Sequence, residues 1–212
     1  MVTAWDTRIA RRIAAPLVGT WVRPNHVTTA GLGLGLGAAA LYATGSPAAA
    51  NVGAVAYVLS SIVDHVDGEL ARRTGTGSAF GRAYDRAADL VVRVALFAAM
   101  GWGVRHGALG AAAVGLGLAA GVSFVAIWAL RSAIARRNGW GAVDQPEVHG
   151  FDVEDVLYVV APVTWLGWVA PFVAAAGIGA PLFLVWLVRR YRAAGLVAAA
   201  NRAPVLDVGS PS

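Results

Sequence analysis

The chain has no cysteine and no lysine. Without cysteine, neither a disulfide framework nor a thiolate metal site can form. Charge is scarce as well. Only 14% of the 212 residues are charged, against 58% hydrophobic, and the mean hydropathy is +0.62. Such a composition is too apolar for an ordinary soluble domain. All 17 basic residues are arginine, and the net charge is +5. A basic balance can mark a nucleic-acid partner. Here, however, the arginines stand at the ends of apolar runs, which membrane topology explains better, so no nucleic-acid partner is expected.

The apolar runs are of membrane length, about 20 residues each. Six are expected, at 27–45, 48–70, 83–104, 107–131, 154–176 and 179–200. Gly45-Ser46-Pro47 breaks the first from the second, Arg105-His106-Gly107 the third from the fourth, and Gly177 to Pro181 the last two. The longest polar stretch runs from Arg131 to Asp155. The expected fold is therefore all-α: a polytopic membrane protein of six transmembrane helices. Residues 1–200 form one membrane domain with no internal repeat, followed by a flexible tail at 201–212. Twelve arginines (8, 11, 12, 23, 72, 73, 82, 86, 131, 136, 137 and 202) fall on one side of this scheme, and Arg105 on the other. The excess of arginine places both termini in the cytoplasm, in a multi-pass protein of the cell membrane.

Residues 1–22 do not read as a cleavable signal, because the apolar part between Arg12 and Arg23 is short. Trp5, Ile9, Ile13 and Leu17 recur at helical spacing, apart from Arg8, Arg11 and Arg12. That pattern fits an amphipathic helix in the cytoplasmic interface, interrupted near Pro16. In Arg23-Pro24-Asn25-His26-Val27-Thr28-Thr29, Pro24 and Asn25 suit a turn and Thr28 suits a helix cap.

The chemistry concentrates between Asp64 and Asp89. Asp64 and Asp67 are three residues apart, and Asp85 and Asp89 four. Either spacing puts both side chains on one face of a helix. Two such helices facing each other present four carboxylates to a shared cavity. Hard divalent cations such as Mg²⁺ or Mn²⁺ take oxygen ligands, and four carboxylates suit a two-ion site of the kind used in phosphoryl chemistry. Gly68 clears the space beside Asp67 for close approach of a ligand, and Gly81 does the same at the start of the second helix. Arg72 offers a planar fork for a phosphate.

The pattern D-x2-D-G-x2-A-R-x8-G-x3-D-x3-D, met by Asp64, Asp67, Gly68, Ala71, Arg72, Gly81, Asp85 and Asp89, resembles the signature of the CDP-alcohol phosphotransferases. These are membrane enzymes of phospholipid synthesis. The resemblance implies a transferase that moves a phosphatidyl or related phospho-alcohol group from a CDP-linked donor, such as CDP-diacylglycerol, to the hydroxyl of a small polar alcohol, releasing CMP. It implies two Mg²⁺ or Mn²⁺ ions on Asp64, Asp67, Asp85 and Asp89, with the partition between the ions left open, and Asp89 as general base. It also implies that Pro24, Asn25, Gly68, Arg72, Ser78 and Gly81 contact the CDP moiety, and that the protein is a homodimer in contact with membrane lipids. For the acceptor, inositol phosphate, glycerol phosphate, serine and other polyols stay open. The stretch from Arg131 to Gly150 departs from the pattern of the phosphatidylinositol-phosphate synthases, and Glu69 departs from the small or basic residue many relatives carry there.

Arg189, Arg190 and Arg192, about ten residues into the expected sixth span, are acceptor-site candidates on the ground that charge inside a span seeks a polar cavity. Arg93, one turn after Asp89, is an expected charge partner for it. Asp152, Glu154 and Asp155 fit a helix N-terminus. Gly31 with Gly35, and Gly33 with Gly37, form small-xxx-small pairs for helix packing. The alternative function is a metal-ion or proton transporter built on intramembrane aspartates. Transport needs polar groups leading to both faces, and the outer halves of the runs are apolar.

Overall fold

The structure, a computed structural model, describes residues 5–139 and 159–195. Among the described residues every regular element is a helix. α1 spans Trp5–Ala14 and runs into a short 3-10 turn at Ala15–Leu17, where Pro16 ends the α-helix as expected. α2 (Pro24–Ala43), α3 (Pro47–Thr74), α4 (Ala79–Gly103) and α5 (Ala112–Asn138) follow. Then come a short α6 (Val160–Trp165) and a long α7 (Val169–Ala193). α3, α5 and α7 are each long and apolar enough to cross a membrane.

Local chemistry sets most of these boundaries. Between α2 and α3, Gly45 takes a left-handed conformation at φ 72°, Ser46 accepts a capping hydrogen bond from Ala49 N, and Pro47 occupies the first helical turn. Two boundaries differ from the sequence expectation. Thr28 caps nothing: α2 already starts at Pro24, and the Thr28 hydroxyl lies inside the helix, 3.2 Å from Pro24 O. Gly177 to Pro181 does not separate two spans, because α7 runs straight through it and the chain turns instead at residues 166–168. Gly177 faces α5, where a Cβ would lie 2.6 Å from Leu116 Cβ, so it is a packing glycine rather than a hinge. Proline inside an apolar helix is tolerated where neighbouring groups satisfy the backbone it frees.

The main core joins α2 to α7: Ala38 and Tyr42, Ala54 and Tyr57, Leu96, Phe97 and Met100, Ala120, Val160 and Val173. Tyr42 and Thr164 hydrogen-bond across it at 2.6 Å. α5 and α7 run parallel, since Leu116 meets Gly177 while Ile127 and Ile134 pack with Leu187 and Tyr191 further along. α5 runs antiparallel to α4, with Gly117 against Phe97 and Trp128 against Arg86. The N-termini of α2 and α4 and the C-termini of α3, α5 and α7 therefore share one end of the bundle.

Of the four glycines at 31–37, only alternate ones pack. A Cβ on Gly35 would lie 2.5 Å from a Val92 methyl, and one on Gly31 would lie 3.3 Å from Val63; Gly33 and Gly37 meet nothing within 4 Å. The expected pairing thus holds for Gly31 with Gly35 and not for Gly33 with Gly37. Gly35→Ala is expected to cost about 1–3 kcal/mol from overpacking the α2–α4 contact. Gly33→Ala should be neutral or slightly stabilising, because alanine favours the helix. Thermal denaturation of the two variants in the same detergent checks this, and equal melting would refute it.

Candidate active site

The site forms at the shared end of the bundle. α3 carries Asp64 and Asp67 one turn apart, and the start of α4 brings Asp85 against them. Carboxylate oxygens of these three lie within 4.8 Å of one another. Asp67 is buried, at 4% exposure, and the Thr28 hydroxyl of α2 donates to its Oδ2. That bond ties α2 to α3 and aims one carboxylate oxygen, a use of Thr28 that a helix-cap reading misses. Asp89 lies outside the three-carboxylate group. Its Oδ1 accepts from Arg93 Nε at 2.8 Å, as the one-turn spacing predicts, and Arg93 is 12% exposed with its guanidinium 4.8 Å from the Phe124 ring centre.

Beside the carboxylates opens a cavity of about 970 Å³. Asp67, Gly68 and Ala71 of α3 form one wall, and Ser78, Gly81, Arg82 and Asp85 of α4 a second. Arg23, Pro24, Asn25 and Thr28 supply a third, and the strap at residues 18–22 the fourth. Pro24, Asn25, Gly68, Ser78 and Gly81 are thus brought together as the motif suggests. The two glycines differ in cause. A Cβ on Gly81 would lie 3.1 Å from both Asn25 Oδ1 and Ser78 Oγ, so any other residue would push one of these side chains aside. A Cβ on Gly68 would meet only Arg72 Nη1, at 3.5 Å, so Gly68 keeps space open for whatever enters. Ser78 caps α4, its Oγ accepting from Gly81 N at 2.9 Å.

Several residues sit elsewhere than their sequence position suggests. Arg72 does not line the cavity; its Nη2 binds Glu69 Oε2 at 3.0 Å. Arg189, Arg190 and Arg192 are exposed near the end of α7, about twenty residues into the helix rather than ten. The residue of that stretch which turns inward is Tyr191, 4% exposed. It packs in the α5–α7 seam, where Arg131 lies one turn after Ile127. Tyr191 OH and Arg131 Nε are buried without a hydrogen-bond partner. His65 is exposed, with its Nδ1 2.8 Å from Ser61 O, and stays outside the carboxylate group. Asp152, Glu154, Asp155, the expected start of the fifth span and the tail fall outside the described residues.

The donor set fits a hard divalent cation. It is all oxygen, it converges, and among the described residues no arginine forms an ion pair with Asp64, Asp67 or Asp85. Three ionised carboxylates this close in a partly buried site repel one another, a repulsion that a bound cation relieves.

The fold and site are those of a helical membrane transferase that handles phosphate esters. The CDP-alcohol phosphatidyltransferase family profile matches residues 21–187, and the chain belongs to that family. A search of curated proteins finds no significant match. Among solved structures, the chain is similar to phosphatidylinositol phosphate synthase of Mycobacterium tuberculosis, solved with CDP-DAG bound. The identity is 19% and the TM-score 0.68, over 96% of this chain and 100% of that one. The protein is thus an enzyme that transfers a phosphate-containing group from a CDP-alcohol, and the transporter alternative gives way.

Proposed function

We propose that the protein transfers a phosphatidyl group from CDP-diacylglycerol to the hydroxyl of a small polar alcohol, releasing CMP, at the cytoplasmic face of the cell membrane. The observation that carries this reading is the joining of a three-carboxylate cluster to a cavity large enough for a nucleotide, through Asp67 and Asp85, which belong to both. The M. tuberculosis synthase of similar fold, solved with CDP-DAG, supports the choice of donor.

In this reading Asp64, Asp67 and Asp85 hold divalent metal, with Asp89 available to a second ion. Mg²⁺ or Mn²⁺ bound there would supply a counter-charge for the donor pyrophosphate and for charge developing on the leaving CMP. Pro24, Asn25, Ser78 and Gly81 enclose the cytidine side of the cavity, and Gly68 leaves room for the phosphates. The acceptor enters from the α4–α5 side. Asp89 takes the proton of its hydroxyl, the acceptor oxygen bonds to the phosphorus carrying the diacylglycerol, and the bond from that phosphorus to the CMP oxygen breaks. The Arg189, Arg190 and Arg192 group belongs to the acceptor side, with Arg131 and Tyr191 as the inward-facing donors there. In this reading the chain has six spans and both termini in the cytoplasm, so that this end of the bundle lies at the inner leaflet and α1 in the interface. Its half-exposed Ile13 is available to lipid. A homodimer is the assembly the family resemblance suggests.

The test is CMP formation by purified protein with CDP-diacylglycerol and a panel of alcohols (inositol phosphate, glycerol phosphate, serine). Chelation with EDTA should abolish release, and added Mg²⁺ or Mn²⁺ should restore it. CMP release that survives EDTA would refute the metal site. Absence of release with every acceptor would refute the donor assignment.

A further inference from the structure

Glu69 is a carboxylate at 7% exposure, on the side of α3 next to the motif glycine. A buried carboxylate without cations would be costly. Here three arginines converge on it. Arg73 Nε reaches Oε1 at 2.8 Å, Arg72 Nη2 reaches Oε2 at 3.0 Å, and Arg11 Nε of α1 reaches Oε1 at 3.7 Å. Glu69 is therefore both an intrahelical anchor and a tie between α1 and α3. Around it Ala10 and Ala14 of α1 close over Val66 and Leu70 of α3 and Val27 of α2, with Leu17 and Val22 at the edge.

Two consequences reach the cavity. The strap at residues 18–22 follows the 3-10 turn that ends α1 and forms one cavity wall. Its hydrogen bonds are local: Val18 N to Ala15 O, Thr20 Oγ1 to Leu17 O, and Val22 N to Thr20 Oγ1. Its place over the cavity is thus set by where α1 docks and by Val22. Arg72, held by Glu69, stays outside the cavity lining, with its Nη1 beside Gly68, which does line it.

We infer that Glu69 is a positioning residue for donor binding, pinning α1 so that residues 18–22 wall the nucleotide cavity and holding Arg72 beside Gly68. The inference rests on the donor reading above. Charge count gives its direction. With Glu69 present, one negative group meets three positive ones. Without it, three guanidiniums face each other across the α1–α3 contact and drive α1 away.

The native chain has no cysteine, so a Val18→Cys substitution provides a single labelling point on the strap. Full-length protein in nanodiscs carries a nitroxide at position 18, and its mobility is read by electron paramagnetic resonance. CMP affinity is measured on the unlabelled protein with saturating Mg²⁺. Glu69→Gln and Glu69→Ala are expected to turn an immobilised spectrum mobile and to weaken CMP binding about tenfold, as loss of a positioned cation and a cavity wall would. Arg11→Gln leaves Glu69, Arg72 and Arg73 in place, so it carries the test even if Glu69→Ala fails to fold. Its expected effect is smaller, about threefold on CMP, because a half-exposed pair contributes less. Unchanged spectra and CMP affinities within twofold in Glu69→Gln and Arg11→Gln would overturn the inference. Failure of the parent protein to bind CMP with Mg²⁺ would instead strike the donor reading, while the spectra still decide whether Glu69 fixes the strap.

Discussion

Asp67→Asn is expected to lower CMP release by about 10³-fold, with no rescue by excess metal. Asp67 is the most buried residue of the carboxylate group and faces both cation and cavity. Asparagine keeps the shape and still accepts the Thr28 hydroxyl, so the α2–α3 contact survives and the fold is retained. What is lost is one negative ligand, and a metal-borne stabilisation of several kcal/mol translates into this fall at about 1.4 kcal/mol per decade. Thr28→Val supplies the control. It removes the group that orients Asp67 but leaves the charge, and loss of such an outer partner typically costs about 10–100-fold in metal affinity or activity. Raising Mn²⁺ should recover most of the Thr28→Val loss and none of the Asp67→Asn loss. Recovery of Asp67→Asn by metal would show that its charge serves only cation affinity, and full activity of Asp67→Asn would remove the cluster from the chemistry.

How far the sequence foretold this site depends on the range of the interactions involved. Asp64, Asp67 and Asp85 were legible because helical spacing fixes one-turn neighbours, and the apolar runs around them force the helices into contact. Arg93 was legible for the same reason, being one turn from Asp89. The cavity's fourth wall was not legible. Residues 18–22 carry no periodic signal, and their position follows from the docking of α1 on α3, a contact made by alanines whose small size leaves no mark in the sequence. Glu69 read as a departure from the motif, and only the arrival of Arg11 from another helix reveals it as a junction. Thr28 and Gly177 show a local rule overruled by its neighbourhood. A threonine near Pro24 looks like a cap until Pro24 takes the first helical position, and a glycine before Pro181 looks like a break until Leu116 packs into the space it leaves. The arginines at 189–192 were misplaced along the span because the true turn lies at 166–168, which lengthens α7 on its N-terminal side and carries the arginines to its end.

Asp89 neighbours Asp64 and Asp85 without joining the group of three, and this sets up the second large effect. Asp89 is bound to Arg93, which is itself clamped on Phe124, so its carboxylate is fixed by the α4–α5 contact rather than by the metal cluster. A carboxylate held by a single guanidinium nitrogen keeps lone pairs free to receive a proton, as a general base must. Asp89→Asn is therefore expected to lower kcat by about 10²–10⁴-fold, the range typical of a lost general base, with the KM for CDP-diacylglycerol and the Mg²⁺ requirement little changed. Asp67→Asn should show the opposite signature, a lost response to Mg²⁺. Arg93→Met should fall between wild type and Asp89→Asn, since the base remains but its orientation is lost. Initial rates over a grid of donor and Mg²⁺ concentrations separate these cases. If Asp89→Asn loses its response to Mg²⁺ as Asp67→Asn does, holding the second ion outweighs proton transfer at Asp89. If Asp89→Asn releases CMP at the wild-type rate, the residue belongs to the α4–α5 packing alone, and the cluster of three acts without it.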